Sequence, residues 1–266
     1  MVTEKFDIKA IVKFLADIAT NKNFKFKSPT QVLGLVNALR KYHRHEVIGI
    51  ENIPNEGRGL LAVNHSLATY DIVLLAAAIY EQKKRIPNSL ADRLFYKIPY
   101  LGEVIESLGA RKGTRENAVK LLEEGNIVFV APGGMRESLR PSSERYQILW
   151  KKRKGFVELA LKTQSPVILC ACPKADDIYE VFANPVTALI YRKFKLPIFI
   201  AKGLGPTPIP KPVKLVHYIG KPVIPPAYDK TMSKEELASL TETFHKKIIG
   251  KMNNLMAKAV RHRPNK

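Results

Sequence analysis

Two side chains with the chemistry of a proton-transfer pair, His65 and Asp71, stand six positions apart in AVNHSLATYD (62–71), at the end of the apolar run GLLAV (59–63). The pattern predicts the histidine in a loop leaving a buried strand and the aspartate near the start of a helix. Sheet-based folds commonly expose reactive side chains there. A carboxylate so placed accepts a hydrogen bond from one imidazole nitrogen, fixes the tautomer and leaves the other nitrogen to take a proton. Spacing alone keeps a second reading open, a loop histidine beside an acid drawn to the positive end of a helix. In APGGMRES (131–138), Gly133 and Gly134 permit a sharp turn whose amide N–H groups face an oxyanion or phosphate, and Arg136 adds a fork of donors. An ordinary strand-to-loop turn uses the same glycines. In LGARKGTREN (108–117), Arg111, Lys112 and Arg115 surround Gly113 ahead of a helix, which is an anion site by charge and by helix dipole.

The elements that must hold these residues alternate in type. KFDIKAIVKFLADIA (5–19) places Ile8, Ile11, Leu15 and Ile18 at helical spacing above a lysine-bearing face, an amphipathic helix suited to packing or to a bilayer interface. A second helix is expected over 30–43, with Ser28 or Thr30 as its cap. Beyond Val47, short apolar runs alternate with helical patterns. GLLAV, NIVFV and SPVILCAC read as strands, and DIVLLAAAIYEQ, RENAVKLLEEG and GFVELALKT as helices, with Thr114 and Gly125 bounding the second of these. The alternation predicts an α/β fold with a mixed, mostly parallel sheet flanked by helices. A proline-rich stretch (203–228) holds one strand, VKLVHYIG, and Ser233 with Glu236 forms a capping box that opens a long terminal helix. The expected organisation is an N-terminal helical membrane-docking segment (1–45), an α/β domain (46–228) and a basic C-terminal helix (229–266).

Charge narrows the partners. Against 24 Asp+Glu stand 44 Lys+Arg, a net charge of +20, which points to a polyanion, either nucleic acid or an anionic membrane surface. Arg140, Arg145, Lys151, Lys152, Arg153 and Lys154 form one cluster, and a second runs from Lys246 to Lys266, although runs such as KKRK are commonly just solvated surface. No helix-turn-helix, zinc-finger or aromatic RNA-binding pattern supports nucleic acid. The longest apolar run, IVLLAAAIY (72–80), falls far short of the roughly 20 residues of a membrane span. Asp7, Lys9, Lys13 and Asp17 interrupt any signal-peptide core, so a cytosolic, peripheral location is expected. Cys170 and Cys172 read as small core residues, too few for a metal site.

Taken in order, four stretches resemble the glycerolipid and lysophospholipid acyltransferases. IENIPNEGRGLLAVNHS is similar to the entry to their first motif, GARKGTRENAVKLLEEGNIVFVAPGGMRES to the second and third, and SPVILCAC to the fourth, together covering about residues 46–228. The resemblance implies that His65 is the general base removing a proton from an acceptor hydroxyl as it attacks an acyl-CoA or acyl carrier protein thioester, and that Asp71 orients and stabilises the imidazolium. It assigns amides around Gly133 and Gly134 to the oxyanion, and Arg115 and Arg136 to the acceptor head group or the donor phosphates. It requires no cofactor or metal, and it implies membrane lipids as partners.

The sequence departs from the common family form in two places. His65 and Asp71 are separated as H-x5-D rather than H-x4-D, and PGGMR replaces P-E-G-T-R, with Gly133 in the glutamate position. Both departures resemble the branch of diacylglycerol and monoacylglycerol acyltransferases. Loss of the acid at 133 implies a roomier, less polar pocket, and hence a neutral mono- or diacylglycerol acceptor in preference to lysophosphatidate. The alternatives are a lysophosphatidate or lysophospholipid acyltransferase and, from another class, a non-catalytic lipid-surface or nucleic-acid-binding basic protein.

Overall fold

The computed structural model describes residues 29–67, 70–91, 110–150, 152–183 and 200–262, together with Glu106 and Lys193. The helix expected over 5–19 lies outside the described residues. Helices α1 (Pro29–Tyr42), α2 (Tyr70–Lys83), α3 (Arg115–Glu123), α4 (Gly134–Ser138), α5 (Gly155–Thr163) and α6 (Lys234–Arg261) alternate with strands β1 (Glu46–Ile48), β2 (Gly59–Val63), β3 (Asn88–Ala91), β4 (Ala110–Lys112), β5 (Ile127–Val130), β6 (Val167–Ala171), β7 (Glu180–Val181), β8 (Ala201–Lys202) and β9 (Val216–Ile219). Seven strands make one sheet in the order β1-β9-β6-β2-β5-β3-β4, and β7 pairs with β8 apart from it.

Strands β2 to β6 run parallel, as the apolar runs and intervening helices predict for β2, β5 and β6, while β9 joins β6 antiparallel and pairs in parallel with β1. The central strand β2 is buried along its whole length because helices cover both faces of the sheet. Its alternate side chains divide between two cores. Leu60 and Ala62 pack with residues of α3, α5 and α6, including Leu122, Leu161 and Ile248. Leu61 and Val63 pack with Leu75 and Ile79 of α2.

Local signals set the helix ends. Thr114 Oγ1 accepts from the Asn117 amide at 3.1 Å, and Gly125, at φ +81, takes the left-handed turn after α3. At the start of α6 the Ser233 hydroxyl accepts from the Glu236 amide at 3.2 Å, and Glu236 accepts from the Ser233 amide at 2.8 Å. No described helix is long and apolar enough to cross a membrane. Because β2, β5 and β6 are parallel, the chain leaves all three at one edge of the sheet. Residues 64–67, 131–133 and 172 therefore meet there.

Candidate active site

The loop after β2 is fixed residue by residue. Asn64, 2% exposed, accepts from the Cys172 amide at 2.7 Å and donates to the Cys172 carbonyl at 3.3 Å, tying the exit of β2 to the exit of β6. The backbone of His65 is held from both sides. Its amide donates to Glu137 Oε2 at 3.0 Å, and its carbonyl accepts from Arg140 Nη2 at 2.8 Å. The Ser66 hydroxyl donates to Asp71 Oδ1 at 2.7 Å. The main chain of His65 and the side chain of Ser66 thus set the loop and the helix start.

The His65 ring has a defined tautomer. Its Nδ1 lies 3.0 Å from the Ser66 carbonyl oxygen. A carbonyl only accepts, so Nδ1 carries the proton and the neutral ring keeps its lone pair on Nε2. Burial lowers the His65 pKa, and the charges of Arg140 and Arg153 add to that. The Ser66 carbonyl and the Asp71 carboxylate oppose it. Asp71, 2% exposed in the first turn of α2, meets Ser66 on one oxygen and His217 Nε2, at 3.5 Å, on the other.

The glycine turn differs from its expected form. Gly133 has helical backbone angles, φ −66 and ψ −23. Its requirement for glycine comes from packing, since a Cβ there would lie 2.1 Å from Glu137 Oε2 and 2.4 Å from Glu137 Cβ. The expected roomier, less polar pocket is therefore not what forms. The space a side chain at 133 would take holds a buried carboxylate, delivered from 137. That carboxylate accepts from the amides of His65 and Leu149, each at 3.0 Å, and from Trp150 Nε1 at 3.2 Å. Burial raises the Glu137 pKa against the opposing pull of Arg140 and these donors. Gly134, at φ +51, is the residue that needs left-handed freedom, and its amide donates to the Ala131 carbonyl at 3.0 Å within the turn.

The arginines are redistributed as well. Arg115 donates to Glu158 at 2.8 Å, and Arg136 donates to both oxygens of Glu144 at 3.2 and 3.0 Å, so each of the two predicted anion binders has an acidic partner. Arg140, predicted as part of a basic surface cluster, is 4% exposed and stands between Glu137 (3.8 Å) and Asp176 (3.5 Å). Burial, opposed by Arg140, holds the Asp176 carboxyl up at about 6. The exposed Arg153 lies at the turn: a Cβ on Gly134 would come within 2.3 Å of its Nη1. Ser66, Glu137, Arg140, Arg153 and His217 are the site residues that sequence reasoning passed over. A polar residue in an apolar strand, as at His217, and an acid three positions after two glycines, as at Glu137, were the only signals.

Comparison with known proteins adds to this geometry. Residues 44–172 match the family model described as Acyltransferase. The cattle (Bos taurus) protein "DGAT1/2-independent enzyme synthesizing storage lipids" is 32% identical over 211 residues, 79% of this chain and 60% of that protein. The chicken (Gallus gallus) protein of the same name is 32% identical over 219 residues, 79% of this chain and 63% of that protein. The chain thus spans about three fifths of the length of these relatives. The solved structure of the 1-acyl-sn-glycerophosphate (LPA) acyltransferase PlsC from Thermotoga maritima aligns over 93% of this chain and 94% of that one, with 19% identity and a TM-score of 0.48.

Proposed function

Because the chain belongs to the glycerolipid acyltransferase superfamily, we propose that it moves a fatty acyl group from a thioester, acyl-CoA or acyl carrier protein, to the hydroxyl of a neutral mono- or diacylglycerol. The observation that carries this reading is His65 itself, a neutral imidazole whose Nδ1 proton is committed to the Ser66 carbonyl, with the Asp71 carboxylate reached through Ser66.

In the proposed reaction His65 Nε2 takes the acceptor's hydroxyl proton as the oxygen attacks the thioester carbonyl. The tetrahedral intermediate then collapses, the C–S bond breaks, and the departing thiolate takes the proton from the imidazolium and leaves as a thiol. The charge of Asp71 stabilises that imidazolium. With the Gly134 amide engaged in the turn, the Gly133 amide is the proposed oxyanion donor and Arg153 the proposed anchor for anionic groups of the donor. Arg115 and Arg136 would have to exchange Glu158 and Glu144 for a phosphate, which favours an acceptor without one. The relatives' name, which speaks of storage lipids, points the same way. The proposed source of the acceptor is a membrane surface met by exposed lysines such as Lys247, Lys251 and Lys258 of α6, each contributing on the order of 1 kcal/mol near an anionic leaflet.

Competition between monoacylglycerol, diacylglycerol and lysophosphatidate for labelled acyl-CoA in one mixed micelle tests the reading. Neutral product should predominate. Phosphatidate forming first would overturn the acceptor assignment, and an absence of transfer to any of the three would overturn the activity. Arg153→Ala should raise KM for acyl-CoA by about tenfold, the worth of a charge-assisted contact, with kcat near wild type. An unchanged KM would place the donor phosphates elsewhere.

A further inference from the structure

A line of side chains reaches Asp71 from the β1–β9 edge of the sheet. Arg40 Nε lies 3.2 Å from His45 Nδ1, His45 Nε2 lies 2.9 Å from His217 Nδ1, and His217 Nε2 lies 3.5 Å from Asp71 Oδ2. The direction of these bonds follows from the first of them. A guanidinium has donors only, so His45 Nδ1 accepts and its neutral ring carries hydrogen on Nε2. That hydrogen makes His217 Nδ1 an acceptor. His217 then carries its own hydrogen on Nε2, the ring nitrogen that lies 3.5 Å from Asp71 Oδ2. Both rings are neutral in this arrangement. Burial pushes the His45 pKa down to about 2, and the Arg40 guanidinium beside it works in the same direction. Arg40 is itself anchored by an ion pair to Glu81. The register places Val47 of β1 opposite His217, so the sheet that carries the strand exits also carries the relay.

We propose that His217 and His45 are positioning residues for acyl transfer. Arg40 fixes their tautomers so that His217 presents an N–H to one oxygen of Asp71, while Ser66 holds the other. The carboxylate is thereby oriented for the imidazolium that forms on His65. This rests on the catalytic reading of His65 and Asp71 given above.

A metal is the competing account. Asp71, Cys172 and His217 offer ligand atoms within 4.8 Å of one another, all buried. The relay argues against it, because His217 Nε2, the atom facing Asp71, carries the proton that a ligand must lack. Burial also pushes the Cys172 thiol up, away from the thiolate that a metal binds.

Ring-nitrogen NMR of the 15N-histidine-labelled full chain tests the relay without reference to activity. His45 and His217 should both appear as Nε2–H tautomers, that of His45 unchanged between about pH 5 and 8. An Nδ1–H or doubly protonated His217, or a stoichiometric metal on a bare Nε2, would overturn the proposal. Kinetics test the positioning role. His217→Phe, which fills the volume without the donor, should lower kcat by about 10- to 100-fold with KM for the acyl donor unchanged, and His217→Gln, which supplies an amide N–H, should recover most of the loss. Wild-type kcat in a folded His217→Phe protein would overturn it. If that variant does not fold, the wild-type tautomers still decide. If wild type transfers no acyl group, the functional reading fails while the tautomers still judge the relay.

Discussion

His65→Ala should lower acyl transfer by about 10²–10⁴-fold, the usual worth of a general base, while leaving the melting temperature close to wild type. The two effects separate because the bonds that shape the loop use the main chain of His65, whose amide meets Glu137 and whose carbonyl meets Arg140. The bond from the imidazole to the Ser66 carbonyl is worth roughly 1 kcal/mol. The pH dependence carries a sign. Burial lowers the His65 pKa below its ordinary 6.5, so the neutral, proton-accepting ring persists into more acidic solution. The acid limb of kcat/KM should therefore have its midpoint below 6.5. The same depression means that the unfolded chain binds this proton first, so the contribution of His65 to stability is lost as pH falls through that range. Wild-type turnover from folded His65→Ala would remove the residue from the chemistry, and an acid limb above 6.5 would contradict its burial.

The parts of the fold legible in the sequence are those whose periodicity reports burial. GLLAV and VILCA are apolar throughout because both faces of β2 and β6 are covered, and GFVELALKT matches α5 end to end. By contrast β3 (NSLA) and β4 (ARK) are short and mostly unburied, so neither carries an apolar pattern that betrays a strand. The site divides along the same line. His65, Asp71 and the glycine turn are local in sequence and were readable as residue types. Glu137 reaches the His65 amide across 72 positions, and His45 reaches His217 across 172, and no spacing rule spans such gaps. The basic cluster 140–154 shows a further limit, since it contains both the buried Arg140 and the exposed Arg153. A run of like charges does not reveal which member has been taken inside.

The substitution of glycine for glutamate at 133 has a consequence for stability that a reciprocal exchange can expose. Gly133→Glu alone should be severely destabilising, because its Cβ would fall 2.1 Å from Glu137 Oε2 and 2.3 Å from Glu137 Cδ, in a region with no spare volume. Glu137→Ala alone should cost about 3–5 kcal/mol, because it orphans the donors of Leu149, Trp150 and His65 and leaves the buried Arg140 short of a counter-charge. For a chain of this size either loss lowers the melting temperature by roughly 10 °C. Combined, the two changes should offset one another. Removing the side chain at 137 clears the space that a side chain at 133 enters, and the new carboxylate approaches the same three donors and the same arginine from the other side of the turn. The double variant should therefore be more stable than either single variant, with a coupling of about 2 kcal/mol or more in denaturant unfolding. Additive losses, or a Gly133→Glu protein as stable as wild type, would show that the two positions do not share one carboxylate site. The expected coupling would mean that the common family form with glutamate at this position and the present sequence place the same acid behind the catalytic loop by different routes. Glycine at 133 would then say nothing about acceptor polarity, and the choice between neutral lipid and lysophosphatidate would rest on which arginines are open to the acceptor.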